Sequence, residues 1–550
     1  MKPILRVIAL ALLLSFASLS SSQPLSTSSR WIVDDKTGER VKLACASWPG
    51  HLEPMLPEGL DRRPLSELAS DVAAMGFNCV RLTWATHMFT RHANRTVVEM
   101  FTDLGLTEAI TGIARNNPNL LSLNLLDARK AVIQEIGKHG IMMVLDNHVS
   151  KPMWCCADND GNGFFGSKDF DSDEWLQGLA LAAKHSKNLP LVVGISLRNE
   201  LRGPLQNVSV WYKYVEKGAK TINKENPDLL VIISGLDYDL DFTFLKKRPL
   251  NLNMMKNKVV YETHRYAFTE GQSKAWLNGP LNKVCLNVTK EMDEKEGFLV
   301  RGGRNNNNNM NVAPLFVSEF GINQMGDSNG AAADNLHLPC MLSYLADLDL
   351  EWSVWTLQGS YYLRDGQHGH DESYGMFNTN WTAVRNPEFL SKLQFLQHKL
   401  IDPKLSKPTY QLLYHPLTGQ CARVVGDQIQ MSNCLGASRC AHEADGTPIK
   451  MIESSKCVTM VGEDIPVALS HACKDDDKDQ ISTNKWRLAA SDSMFQFKSK
   501  DNDSGLELCL DFNSSYSTSM LLTRKCLGLE EGDLRNPQSQ WFKLITSNVV

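Results

Sequence analysis

The sequence predicts a parallel (β/α)8 barrel followed by a small all-β domain. Three observations carry that prediction. Eight short apolar runs alternate with amphipathic stretches over residues 24–400, cysteines crowd residues 401–550, and the crowded part repeats itself three times. A chain of 550 residues also exceeds the ~250–300 at which a single core stops growing, so more than one unit is expected.

The N-terminus comes first. Met1 to Gln23 carries Lys2 and Arg6, then an apolar run from Val7 to Phe16, then the small residues Ala17, Ser18, Ser20 and Ser21. That is the pattern of a cleaved secretory signal, assigned to residues 1–22. The apolar run is about half the length needed to span a ~30 Å hydrocarbon core, and no second span follows. Asn94, Asn207, Asn287, Asn380, Asn502 and Asn513 each open an N-x-S/T sequon. A secreted, extracellular or cell-wall glycoprotein is expected.

The barrel is expected over residues 24–401. Its strand candidates are Val41–Ala46, Asn78–Leu82, Ile141–Leu145, Leu191–Leu197, Leu229–Ile233, Lys258–Glu262, Pro314–Ser318 and Glu351–Thr356. Between them lie helical patterns such as Leu65–Met75, which follows Pro64 and ends at Gly76, and Leu126–His139, which ends at Gly140. Strands apolar on both faces, alternating with helices, indicate a parallel sheet covered on both sides. Eight such units suit a closed barrel better than an open sheet. Gly271–Val312, with its run Asn305–Asn309, reads as an inserted surface loop without a role.

A break is expected at Leu400–Pro408, where two prolines and polar residues precede a new aromatic run. Residues 24–400 hold six cysteines, and 401–550 hold seven. Cys421 and Cys434, Cys457 and Cys473, and Cys509 and Cys526 each flank a strand, a polar turn and a second strand. Two of the three pieces end in a polar-x-Trp element, at Trp486 and Trp541. Threefold self-similarity signals a repeat architecture, and over residues 409–550 the chain resembles the ricin B-type β-trefoil, a carbohydrate-binding module. The repeats then imply disulfides Cys421–Cys434, Cys457–Cys473 and Cys509–Cys526, with Cys440 unpaired. In that family a binding repeat places an Asp just after its first Cys. Only the third is so equipped, with Asp511, then Phe512 and Tyr516, so at most one weak sugar site is expected there.

In a parallel barrel the working groups project from the C-terminal strand ends. The fourth run ends in Arg198-Asn199-Glu200 and the seventh in Ser318-Glu319-Phe320-Gly321. Two carboxylates across one barrel mouth are what glycosidic hydrolysis needs. Taken singly, either Glu reads better as a strand end paired with a neighbouring Arg. The other ends supply Arg81, His148, His264, Tyr266 and Trp355, an ordered set that chance core residues do not explain. With these residues in place, the region 30–400 resembles glycoside hydrolase family 5, a group of retaining (β/α)8 enzymes. The resemblance implies Glu200 as general acid/base and Glu319 as nucleophile. It implies Arg81 and Tyr266 as partners of the nucleophile, His148, Asn199 and His264 as lining for the cleaved sugar, and Trp355 as an aromatic floor. Glu200 must then stay protonated near neutral pH while Arg81 keeps Glu319 ionised. A double-displacement route requires carboxyl groups ~5–5.5 Å apart, whereas inversion requires ~6.5–9.5 Å.

Weaker signals remain. Asp158, Asp160 and Asn162, with Asp169 at the twelfth position, nearly match an EF-hand calcium loop. No helix pair flanks the segment, so a loop of turn formers is preferred and no cofactor is called for; no His/Cys spacing indicates zinc. Trp154, Phe164 and Phe165 are either a wall of the cleft or packing beneath it. Cys155 and Cys156 are adjacent and expected to pair elsewhere, with Cys285 or Cys340. The balance of 57 Lys+Arg against 62 Asp+Glu offers no footprint for nucleic acid. The sequence therefore predicts a monomeric, secreted hydrolase of a cell-wall β-glucan or β-mannan polysaccharide or oligosaccharide. A lectin-like protein with the barrel as scaffold and a transglycosylase are the competing readings.

Overall fold

The computed structural model describes residues 24–549 apart from 253–254, 256, 303–311, 327–328, 472, 474–481, 491–494 and 515–517. The signal segment, the run Asn305–Asn309 and Tyr516 lie outside the described residues.

Eight parallel strands close into a barrel: β1 (Ala44–Trp48), β2 (Cys79–Ala85), β3 (Met142–Val149), β4 (Val192–Ser196), β5 (Leu230–Ser234), β6 (Val259–His264), β7 (Leu315–Phe320) and β8 (Glu351–Val354). β8 returns to β1 through Trp352↔Ala44 and Val354↔Ala46. Each expected run holds one of these strands, with ends shifted by a few residues. A Cys45–Cys79 disulfide staples β1 to β2 where the two residues are in register. A short antiparallel hairpin, Leu25–Ser28 and Trp31–Asp34, precedes the barrel.

The helices form where capping and spacing direct. Leu65–Ala74 buries Leu65, Leu68, Ala69 and Val72 on one face and stops at Gly76, whose φ of +86° is open to glycine at no cost. Leu125–Lys138 starts at Asn124, whose side chain accepts from the Asp127 N–H. The stretch expected as a surface loop is corrected: among its described residues it folds as helices Ser273–Asn278, Leu281–Met292 and Phe298–Arg301. Leu281, Val284, Cys285, Val288 and Met292 share the buried face of the middle helix, and Cys285–Cys340 ties it to the helix Asn329–Leu348. Its apolar spacing of three and four residues was present in the sequence.

From Tyr410 onward the chain is all β. The three expected disulfides are present, Cys421–Cys434, Cys457–Cys473 and Cys509–Cys526, and Cys440 is free and buried. A core of Leu413, Ile429, Met451, Val458, Trp486, Leu510 and Phe542 fills this region. It does not stand apart from the barrel. Leu412, Tyr414, Phe495, Trp541 and Ile545 belong to the barrel's own apolar core, and Trp541 donates through Nε1 to Asn282 Oδ1 at 2.8 Å. Asn282 in turn donates to Gln496 Oε1 at 2.7 Å. The connecting segment is pinned as well, since Asp349 Oδ2 accepts from the Leu400 and Ile401 N–H groups while pairing with buried Arg40 and Lys42.

Shared burial of this kind couples the unfolding of the two regions, which is expected to be cooperative. Heating is expected to give a single calorimetric transition, and Trp541→Ala should cost about 3–5 kcal/mol of that one transition. Two resolved transitions, with only the second moved by Trp541→Ala, would contradict this.

Candidate active site

The strand ends meet in a cavity of about 480 Å³ lined by Glu200, Glu319, His148, His264, Tyr266 and Trp355, among others. Arg81 and Asn199 stand behind them, fully buried. From β2, Arg81 Nη1 donates to Glu319 Oε1 at 2.6 Å and Nη2 to Asn199 Oδ1 at 2.8 Å. The Tyr266 hydroxyl donates to Glu319 Oε2 at 2.9 Å, so both oxygens of this carboxylate are held. His264 Nδ1 lies 2.7 Å from Glu200 Oε1 and 3.7 Å from Glu319 Oε2. A single imidazole therefore sits between the two carboxylates. One oxygen of each Glu and a ring nitrogen of His264 all fall within 4.8 Å of one another. His148 stacks on Trp355 with ring centroids 5.5 Å apart and an interplanar angle of 12°. All eight barrel residues expected at the site are brought together.

Glu200 occupies an uncommon backbone state, with φ of +44° just beyond β4. Its N–H donates to Asp239 Oδ2 at 3.1 Å, and its carbonyl accepts from the Arg202 guanidinium at 2.7 Å. Such a conformation persists only where surroundings fix it, and it aims the carboxyl into the cavity.

The two carboxyls have different electrostatic neighbours. Burial pushes Glu200 up to about 7, against the opposing pull of Arg202 and Arg81. Burial also raises Glu319, and the opposing pull comes from the Arg81 guanidinium in direct contact with it. The direct Arg81 contact favours the ionised form of Glu319, whereas Glu200, pushed up to about 7, keeps a proton near neutrality. Burial holds His148 and His264 below the usual histidine range, so both imidazoles are neutral. Such a pair offers a proton donor and an unprotonated nucleophile across one cleft.

Beneath them lie Asp146, Asp239 and Glu262, all raised by burial. Arg81 Nη2 approaches Asp146 at 3.1 Å and Glu262 at 3.9 Å, so this cation already serves the cluster. Asp239, Glu262 and His264 could together hold a metal ion by distance, as could Glu200, His264 and Glu319. The third such group, His148 with Cys155 and Cys156, offers no thiolates because the cysteines are joined.

Sequence reasoning missed Asp239 and His51. His51 is 1% exposed, and its ring lies 4.0 Å from that of His148, with Nδ1 2.7 Å from Thr83 Oγ1. The signal was available, for His51 follows β1 and Asp239 follows β5, the two strand ends from which no candidate was drawn.

The structure also places four further groups of residues singled out in the sequence. The candidate calcium ligands are occupied by protein donors: Asp158 Oδ1 accepts from the Tyr238 hydroxyl, Asp160 pairs with Arg202, and Asn162 Oδ1 accepts from the Ser150 and Lys151 N–H groups. They brace the loop after β3. Trp154 lines the cavity, whereas Phe164 and Phe165 are buried and Phe165 packs on Phe170, Trp175 and Tyr214. Cys155 and Cys156 pair with each other, and Cys285 with Cys340, correcting the expectation that neighbours would not bond. In the all-β region, Asp511 is 1% exposed and its Oδ2 accepts from Gln540 Nε2 at 2.9 Å and Ser539 Oγ at 3.2 Å. That carboxylate ties the ends of its repeat together and does not face solvent.

A closed (β/α)8 barrel with paired glutamates at its mouth, one of them held by an arginine, is the construction of a glycoside hydrolase. Comparison with known proteins agrees. The sequence pattern of the cellulases, glycosyl hydrolase family 5, matches residues 35–360. A glycosyl hydrolase 5 family protein of Chamaecyparis obtusa is 41% identical over 558 aligned residues, covering 99% of this chain and 97% of that protein. An endoglucanase of Paenibacillus polymyxa is 22% identical over 379 residues, covering 64% of this chain and 82% of its own length. Among solved structures, a hyperthermophilic endocellulase of the archaeon Pyrococcus horikoshii superposes with a TM-score of 0.54 at 17% identity, over 69% of this chain and 100% of that one. The catalytic domain of the major endoglucanase of Xanthomonas campestris pv. campestris gives 0.53 at 21%, over 68% and 99%. At such identities the two structures show the shared fold. The chain belongs to glycosyl hydrolase family 5.

Proposed function

We infer that the protein is a secreted, retaining β-glycoside hydrolase acting on a cell-wall β-glucan. Glu319 attacks the anomeric carbon, and Glu200 protonates the leaving oxygen. Glu200, then ionised, activates the water that releases the sugar from Glu319. The observation that carries this reading is the approach of a Glu200 oxygen to a Glu319 oxygen within 4.8 Å, with Arg81 and Tyr266 on Glu319 alone. An oxygen pair that close agrees with the ~5–5.5 Å carboxyl separation of the double-displacement route. Asn199 would hold the sugar's 2-hydroxyl, and Trp355 would pack under its ring. Glucan is favoured over mannan because the relatives named by activity are endoglucanases.

Secretion is supported by the segment 1–22 and by six disulfides among the described residues. The all-β region, with its three Cys-closed repeats, is read as a trefoil-type unit braced against the barrel.

Because Glu200 titrates at about 7 and must be protonated for the first step, kcat/KM should fall as pH rises through that value. A flat profile from pH 6 to 9 would remove Glu200 from the acid role. Incubating the purified protein with β-1,4-glucan, mannan, xyloglucan and aryl β-glycosides, with product analysis, tests the substrate. Fastest turnover of glucan is expected, and turnover of mannan alone would reassign it.

A further inference from the structure

We propose that the Cys155–Cys156 disulfide, together with Trp154, forms an apolar platform on which a pyranose ring of the β-glycan packs at the point of cleavage. The proposal rests on the hydrolase reading of the cleft and adds a binding element to it.

Both cysteines and Trp154 line the cavity alongside Glu200, Glu319 and Trp355. Asn199 Nδ2 lies 3.5 Å from Cys156 Sγ and 3.8 Å from Cys155 Sγ, and both sulfurs fall within 4.8 Å of a ring nitrogen of His148. The disulfide therefore borders the same sugar position that Asn199 and His148 border. A β-linked pyranose presents axial C–H groups on its faces and hydroxyls at its edge. Sulfur is polarizable and a poor hydrogen-bond partner, so it suits the face and leaves the edge to Asn199 and His148.

The surface is fixed before any sugar arrives. Arg202 ties the loop down by donating to the Ala157 carbonyl and pairing with Asp160, while Asn162 Oδ1 holds the backbone at Ser150 and Lys151. The Arg364 guanidinium lies over the Trp154 ring at 3.5 Å, and Tyr361 meets its edge at 5.7 Å. Trp154 nevertheless keeps 36% exposure, an unusual amount for a Trp held on two sides.

Stabilisation by cross-linking does not account for this bond. A disulfide constrains the unfolded chain in proportion to the loop it closes, and here the sequence separation is 1. The other five close separations of 13, 16, 17, 34 and 55.

The test uses the full chain and cellohexaose. The double variant Cys155→Ala/Cys156→Ala is expected to raise KM about tenfold, with kcat changed less than about threefold and the melting temperature unmoved. In a Glu319→Gln background the calorimetric Kd for cellohexaose should rise by the same factor. Unchanged KM and Kd would overturn the proposal, as would a fall in melting temperature with unchanged KM. If the double variant does not fold, Trp154→Ala decides: a several-fold rise in KM supports the platform, and an unchanged KM overturns it. If the unaltered protein neither hydrolyses nor binds β-glycans, the hydrolase reading itself fails and takes the platform with it. That outcome is separable because it needs no variant.

Discussion

Glu319→Gln is expected to lower turnover of glucan by about 10⁴-fold or more while leaving the protein folded. Both oxygens of this carboxylate are held by donors, Arg81 at 2.6 Å and Tyr266 at 2.9 Å. An amide can keep its oxygen toward Arg81 and turn its nitrogen toward the Tyr266 hydroxyl, which then accepts. The architecture survives, but the lone pair that attacks the anomeric carbon is gone and no covalent intermediate forms. A melting curve like that of the unaltered protein, alongside abolished activity, is the expected pair of results. Glucan hydrolysis above about a hundredth of the original rate would remove Glu319 from the nucleophile role.

Glu200→Gln has the second-largest expected effect, and its size depends on the leaving group. Loss of a positioned acid costs about 10²–10⁴-fold. A sugar leaving group, which must be protonated, should suffer that full loss in kcat/KM. An aryl group that leaves as a stable phenolate should suffer far less in the first step, so the intermediate should accumulate as a burst. Azide, which needs no general base, should then speed its release. The decline above pH 7 should vanish with the carboxyl that causes it. Equal losses on both substrates, with the pH profile intact, would show that another group supplies the proton. His264 is the neighbour such a result would implicate, at 2.7 Å from Glu200.

Much of this site was legible because barrel strands are short, apolar and punctuated. Runs such as Leu229–Ile233 and Pro314–Ser318 can bury both faces only between helices, and a parallel barrel must place its polar work in the residues just beyond each run. Glu200, Glu319, Arg81 and His264 could therefore be found from position in the chain. Asp239 and His51 were less visible. Asp239 acts through its contact with the Glu200 backbone, and that contact depends on three consecutive residues, Asp237, Tyr238 and Asp239, with positive φ. No spacing rule encodes such a turn. Repetition in sequence marked the three Cys-closed pieces of the C-terminal region, but it said nothing of Trp541 reaching Asn282 across the boundary. The neighbouring cysteines were misjudged for a similar reason. Pairing depends on where side chains point, which residue spacing alone does not fix.

The double-displacement mechanism stands or falls on covalent glycosylation of Glu319. Incubating the protein with a 2-deoxy-2-fluoro-β-glucosyl fluoride, which slows release of the intermediate, followed by peptide mass mapping, detects that adduct directly. One fluoroglucosyl mass is expected on the peptide containing Glu319 and on no other. Inactivation with the label on Glu200 or elsewhere, or continued hydrolysis of the reagent with no adduct on any peptide, would contradict the mechanism.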